Sequence, residues 1–363
     1  MLVDADAHVV EAEFFFQAAS RWPDKLRFRD DGTAGFIIED RCYPQVTGPG
    51  AGCPPEHSLN PEAAPNATAA KGMLVDADTE GIDQMVLYPS GALGAASIRD
   101  TAFAREFCDA YNDWVASFCA QGDGRLFGVA VAGIEDVPGA IAAMQRGREL
   151  GLVGVVLPPA LAERNLDHPD LDPFYAACSE ASMPVCVHGA PGMHMPKIGV
   201  DRFTNYIQVH MVSFPFDMMT ALTAVVSGGV LDRHPDLRFA FLEAGCSWLP
   251  YFAERMDEHF EKRGDWIPGG WTRPAGEYIM DGRVLVTCEA EERLVPAVLD
   301  TFGDRCVMWA SDYPHWDGEF PNAGAEFRNR DDLGDAARTR VGSANAIDFY
   351  GLDNVDRTGS SPD

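Results

Sequence analysis

Apolar and polar positions divide the chain into an opening strand, a broken stretch and a long alternation. Leu2 and Val3 begin apolar, and Asp4, Asp6 and His8 then fall at every second position between Ala5, Ala7 and Val9. Alternate residues of a strand share a face. A strand here therefore carries three ionisable groups on one side. Residues 11–19 (EAEFFFQAA) read as a short helix. From 22 to 72 the periodicity dissolves. Pro44, Pro49, Pro54, Pro55, Pro61 and Pro65 come with Gly48, Gly50 and Gly52, and so many breakers are expected to leave no regular element. A loop of this length is a lid, a binding loop or a mobile surface segment. It is read as an insertion over the carboxyl end of the first strand.

A rhythm then sets in. Apolar runs at 84–88, 125–131, 154–157, 184–188, 237–242, 283–288 and 306–310 read as strands. A helix carrying Phe103, Phe107, Tyr111, Trp114 and Phe118 at spacings of three and four follows the first of these runs. Further helices are expected at 137–150, 171–181, 211–228, 248–260, 294–302 and 338–350. With the opening strand this makes eight strand–helix units. The expectation is an α/β fold, a (β/α)8 TIM barrel with a long insertion after the first strand. One domain covers 1–351, with 22–72 as the irregular insertion and 352–363 as a polar tail. A doubly wound open sheet would want a glycine-rich phosphate loop after its first strand, and the sequence has none there.

Composition narrows the partners. The chain has 363 residues, 46% of them hydrophobic, enough for a large core. No stretch reads as apolar enough to span a bilayer, and Asp4 and Asp6 interrupt any signal peptide. A soluble, cytoplasmic protein is expected. The nine Cys are scattered without a C-x-x-C pair, which argues against a disulfide framework or a zinc knuckle. The net charge of −28 argues against nucleic acid and anionic membranes. A small-molecule substrate is the expected partner, and an anionic one stays possible because a bound cation inverts the local field.

Barrel chemistry collects at the carboxyl ends of the strands. Those ends carry Asp6 and His8 on the first strand, His188 on the fifth, Glu243 on the sixth, Glu289 on the seventh and Asp312 on the eighth. Any one of them alone reads as a solvated acid or a core histidine. As a set they suit a divalent metal. Asp4, deeper in the strand, reads as a buried support.

At these residues the chain resembles the amidohydrolase superfamily, in its aminocarboxymuconate-semialdehyde decarboxylase-like branch. The opening Asp6-x-His8, Val187-His188-Gly189, Phe241-Leu242-Glu243-Ala244-Gly245 with Trp248, and Ser311-Asp312-Tyr313-Pro314-His315 carry the resemblance. It implies Asp6, His8, His188 and Asp312 as metal ligands, with Asp312 also moving a proton. The branch contains decarboxylases, hydrolases and hydratases. Its decarboxylases carry a sixth-strand His where this chain has Glu243. That departure calls for another proton donor, and His210 is the best candidate; it reads equally well as a surface histidine on a helix's first turn. Oligomeric state is not readable from the residues; the resemblance implies that a homodimer is possible, since relatives are often dimers.

Two mechanisms compete. The first is a lyase or hydrolase using Zn or Mn as a Lewis acid, with Asp312, His210 and Glu243 catalytic. The second is an oxygenase with two Fe ions, in which Glu243 and Glu11 complete a dinuclear site. Arg99, Arg202 and Arg283 could each clamp a substrate carboxylate. The insertion and the loop 190–206, with Met193, His194, Met195 and Phe203, are expected to roof the pocket. Their residue types suggest a partly apolar ligand larger than an amino acid.

Overall fold

The structure is a computed structural model and describes residues 1–30 and 34–353. From residue 354 on, the expected polar tail lies outside the described residues. β1 (Val3–Val9) is buried along its whole length. It starts a parallel sheet that continues through β5 (Gln84–Pro89), β6 (Leu126–Val131), β7 (Gly154–Leu157), β8 (Val185–Val187), β9 (Phe239–Phe241), β10 (Val284–Cys288) and β11 (Val307–Trp309). The eight strands stand in chain order. Their residues are nearly all buried and apolar, since one face of each strand looks into the barrel core and the other onto the surrounding helices.

The barrel closes where β11 meets β1. Asp312 N donates to Asp6 O at 3.1 Å and His8 N to Tyr313 O at 2.6 Å. Asp4 seals the seam below them, accepting from Ser311 N at 3.0 Å and from the Ser311 hydroxyl. Burial pushes the Asp4 carboxyl up to about 6 in spite of these bonds. Asp4 thus fills the supporting place expected of it.

The expectation of no regular element in 22–72 is corrected. Three short strands, β2 (Leu26–Phe28), β3 (Phe36–Ile38) and β4 (Arg41–Tyr43), pair antiparallel into a small sheet. A three-residue strand is too short for period-two alternation to show. The β3–β4 turn holds Glu39 (φ 47°) and Asp40 (φ 68°) in left-handed conformation without a glycine, so the hairpin lacked its usual signal. The Glu39 carboxylate secures it by accepting from Arg99 N at 2.9 Å and Asp100 N at 2.8 Å. The helix returning from β1 is α2 (Ala70–Glu80), while α1 (Ala12–Arg21) precedes the small sheet.

The helices α3 (Thr101–Cys119), α4 (Val137–Glu149) and α5 (Asp172–Glu180) fall where the periodicity places them. α6 (Tyr206–Ser227) begins upstream of expectation because Asn205 caps it, accepting from Ile207 N at 3.0 Å. Its length and apolar composition match a bilayer span, which corrects the expectation that no stretch would. Over half of it is packed inside the protein, and Asp217 on it pairs with buried Lys197. Its buried face is apolar as packing in the core requires, while Ile207, Met211 and Phe216 on its other side are exposed. The closing helix expected at 338–350 is interrupted by a π-helical segment, Arg340–Ala344.

Candidate metal centre

Four strand ends converge at the barrel mouth. His8 Nδ1 donates to Pro89 O at 3.0 Å and His188 Nδ1 to Gly189 O at 2.6 Å. A carbonyl can only accept, so each Nδ1 carries its hydrogen and each Nε2 is turned inward. The two Nε2 atoms meet at 3.3 Å. Around them stand Asp6 Oδ1, at 3.6 Å from His8 Nε2 and 3.9 Å from His188 Nε2, and Asp312 Oδ1 at 3.5 Å from His8 Nε2. Asp6, His8 and His188 present ligand atoms all within 4.8 Å of one another, and so do His8, Asp312 and His315.

Glu243 leans on the same imidazole, with Oε2 at 3.0 Å from His188 Nε2. Its Oε1 lies 3.8 Å from His210 Nε2, which also faces Asp317 Oδ2 at 3.5 Å. Glu243 and Asp312 both occupy left-handed backbone, with φ of 53° and 52°. Such strain costs about 1–3 kcal/mol per residue and persists where surrounding structure enforces it. Here it turns each carboxylate inward just past the last residue of its strand. Thr287 Oγ1 on β10 braces one turn by accepting from Glu243 N at 3.2 Å.

The electrostatics ask for a cation. Burial, then the charges of His315 and His188, holds the His8 imidazole well below its ordinary range, so it is neutral. Its Nε2 lone pair then faces Asp6 Oδ1 at 3.6 Å and Asp312 Oδ1 at 3.5 Å. Burial pushes Asp6 well up against the pull of His188, and Asp6 Oδ1 is buried with no hydrogen-bond partner. Burial, then the Glu243 charge, pushes Asp312 well up. Burial opposes the charge on Glu243, yet the attraction and hydrogen bonds of His188 and His210 outweigh it and hold it well below the usual range. An orphaned carboxylate oxygen and an inward imidazole lone pair are what a divalent ion would satisfy. The donor set therefore fits a divalent metal.

The structure places Asp6, His8, His188, Glu243 and Asp312 together, with His210 beside Glu243. It sets Glu11 apart. The Glu11 carboxylate accepts from Ser90 N at 2.9 Å, Gly91 N at 3.0 Å and Ala92 N at 3.0 Å, so the expected ligand is a clamp on the loop after β5. The two-iron reading loses that ligand. Glu289 is exposed at the end of β10. None of the three candidate clamps lines the cavity over the site. Arg99 holds Glu39 O at 2.7 Å, Arg202 pairs with Asp201 at 3.8 Å, and Arg283 donates to Leu231 O and His234 O at 2.7 Å.

Two residues given no role in the sequence reading belong here. His315 Nδ1 donates to Asp312 Oδ1 at 2.7 Å, and its ring lies 4.2 Å from that of His8. Asp317 stands beside His210. The three-residue spacing of Asp312 and His315 in a turn was the available signal for the first; Asp317 had none. Both line a cavity of about 420 Å³ above the strand ends. His210 is absent from that lining. The segment between α1 and α2 contributes Phe28, Phe36, Pro44, Cys53, Pro55, Ser58 and Leu59 to it, and the loop after β8 contributes Ala190, Pro191 and Met193. His194 Nε2 donates to Cys42 O at 2.7 Å and ties that loop to the small sheet.

Known proteins are similar to this chain in sequence or in fold. A 2-amino-3-carboxymuconate-6-semialdehyde decarboxylase from Dictyostelium discoideum is 25% identical over 67% of this chain and 66% of its own length. A gamma-resorcylate decarboxylase from Rhodococcus jostii (strain RHA1) is 24% identical over 76% of this chain and 85% of its own. A solved 5-carboxyvanillate decarboxylase from Novosphingobium aromaticivorans, complexed with manganese and 4-hydroxy-3-methoxy-5-nitrobenzoic acid, superposes with a TM-score of 0.72 at 20% identity, covering 97% of this chain and 96% of that one. At that identity it shows the shared fold alone. The amidohydrolase family model matches residues 3–352. That match runs from the opening strand past the last helix and takes in every strand end described above, and the chain belongs to the amidohydrolase family.

Proposed function

We propose that this protein is a metal-dependent decarboxylase of a small organic acid. The observation that carries the reading is the pair of inward Nε2 atoms, His8 to His188 at 3.3 Å, ringed by Asp6, Asp312 and Glu243 beneath a largely apolar cavity. His8, His188, Asp6 and Asp312 would hold the ion, with Glu243 beside His188. A carboxylate-rich set with two imidazoles suits Mn²⁺, the ion in the solved relative. Bound there, a divalent ion supplies Lewis-acid pull on substrate oxygens.

The chain's own residues would manage the proton. Decarboxylation breaks the bond between the carboxyl carbon and its neighbour, releases CO2 and leaves the electron pair on that neighbour, which takes one proton. His315 lines the cavity, and Asp312 Oδ1 orients it by accepting from Nδ1. Its Nε2, 3.4 Å from Ser90 Oγ, is the atom placed to give that proton. Glu243 keeps negative charge against His188, and His210 stands behind Glu243, outside the cavity lining. His210 is therefore proposed as a positioning residue rather than the donor. A substrate that fills the apolar part of the cavity would displace water from it and so strengthen each of these interactions.

The test is CO2 release from a panel of aryl and alkenyl carboxylic acids by manganese-loaded protein under argon. Stoichiometric CO2 and the protonated product are expected. Turnover that needs O2, or products carrying oxygen from water without CO2, would overturn the reading.

A further inference from the structure

The cavity is amphipathic along its length. The barrel strand ends and the loop after β11 supply Glu243, His315 and Asp317; α1, the small sheet and the loops after β5 and β8 supply Phe15, Phe28, Phe36, Pro44, Leu93 and Met193. The aromatic wall is built. Phe15 stacks on Phe36 at 3.9 Å, and Gly91 makes room for both, since a Cβ there would meet Phe15 at 2.7 Å and Phe36 at 2.9 Å. Among the described lining residues there is no Lys or Arg. The acid on that side, Glu11, is saturated by three backbone N–H groups. Arg29 approaches the rim near Gly35 but is itself partnered and does not line the cavity.

We propose that this cavity selects a substrate with one acidic head, received at the metal end, and an apolar body longer than a single ring, packed against Phe15, Phe28 and Phe36. The proposal rests on the decarboxylase reading only for the acidic head. A second carboxylate at the far end would lie against aromatic rings without a Lys or Arg to pair with it, and would give up part of its hydration there, which is costly. Burying one more ring against that wall is favourable by ordinary apolar transfer. The small sheet is thus the specificity element, and the barrel the catalytic one.

The experiment is equilibrium binding of unreactive probes to manganese-loaded protein by calorimetry, with benzoate, biphenyl-4-carboxylate and biphenyl-4,4′-dicarboxylate. The biphenyl monoacid is expected to bind about tenfold or more tightly than benzoate, and the diacid about tenfold or more weakly than the monoacid. Phe36→Ala and Phe28→Ala should erase most of the preference for the long monoacid by weakening its binding more than that of benzoate. Phe28 is 39% exposed, so its truncation spares the core. Phe28→Arg should bring the diacid to the affinity of the monoacid. Equal binding of mono- and diacid by the native protein, or an unchanged preference in both alanine variants, would overturn the proposal. So would failure of all three acids to bind while manganese is retained. Selective binding without CO2 release from any acid would overturn the decarboxylase reading and leave the selectivity standing.

Discussion

A histidine whose Nδ1 is committed to a carbonyl has one nitrogen left to give, and both His8 and His188 are in that state. Removing one should therefore cost the metal before it costs the fold. His188→Ala is expected to lower bound manganese about tenfold or more with an unchanged far-ultraviolet circular dichroism spectrum, measured by elemental analysis on dialysed protein. Full metal content in that variant would mean that these strand ends are not the ligands. Glu243 and His210 separate by their place in the same cluster. Glu243 contacts His188 directly at 3.0 Å, whereas His210 reaches the site through Glu243. Glu243→Gln should abolish turnover, and His210→Ala should lower kcat by about ten- to a hundredfold, the range for outer partners of a metal site. A His210→Ala enzyme weaker than Glu243→Gln would reverse their roles.

Among the elements, the small sheet and the loop after β5 are fastened by identifiable side-chain contacts. Glu11 is one, fastening three consecutive N–H groups. Glu11→Gln replaces an acceptor oxygen with a donor facing other donors, and should destabilise the protein by about 1–3 kcal/mol. Burial pushes the Glu11 carboxyl from its ordinary 4.5 up to about 7 although the backbone bonds pull it down. The folded state therefore binds this proton more tightly than the unfolded one. The stability this group contributes is complete below its ordinary 4.5 and is lost as pH rises through about 7. The gap in urea midpoint between native protein and Glu11→Gln should narrow from pH 5 to pH 8; a widening gap would show Glu11 acting chiefly as a bound anion.

The molecule as a whole couples the site to its own closure. The seam joining β1 to β11 runs through Asp4, Asp6, His8, Ser311 and Asp312, so groups that would bind the metal also lock first strand to last. Metal should then stabilise the fold by mass action, by about 2.7 kcal/mol at a hundredfold excess over its dissociation constant. Chelation is expected to lower Tm and manganese to restore it, with the shift absent in His188→Ala. An unchanged Tm in native protein would place metal binding elsewhere.

The sequence by itself determined the barrel and pointed to five of the groups that the fold brings together at its mouth. Buried parallel strands are continuous apolar runs, and polar residues ending them are costly enough to stand out, so Asp6, His8, His188, Glu243 and Asp312 were legible one strand at a time. Lone features far from any strand end were not. The hairpin 36–43 is too short and its turn too unusual to show a pattern. Glu11 sits three residues past His8, and only its burial against the N–H groups of Ser90, Gly91 and Ala92 separates a clamp from a ligand. His315 became part of the centre because a left-handed turn at Asp312 folds it back over His8. Local periodicity encodes which face is buried, but partners distant in sequence are chosen when the barrel closes, and that choice belongs to the tertiary structure.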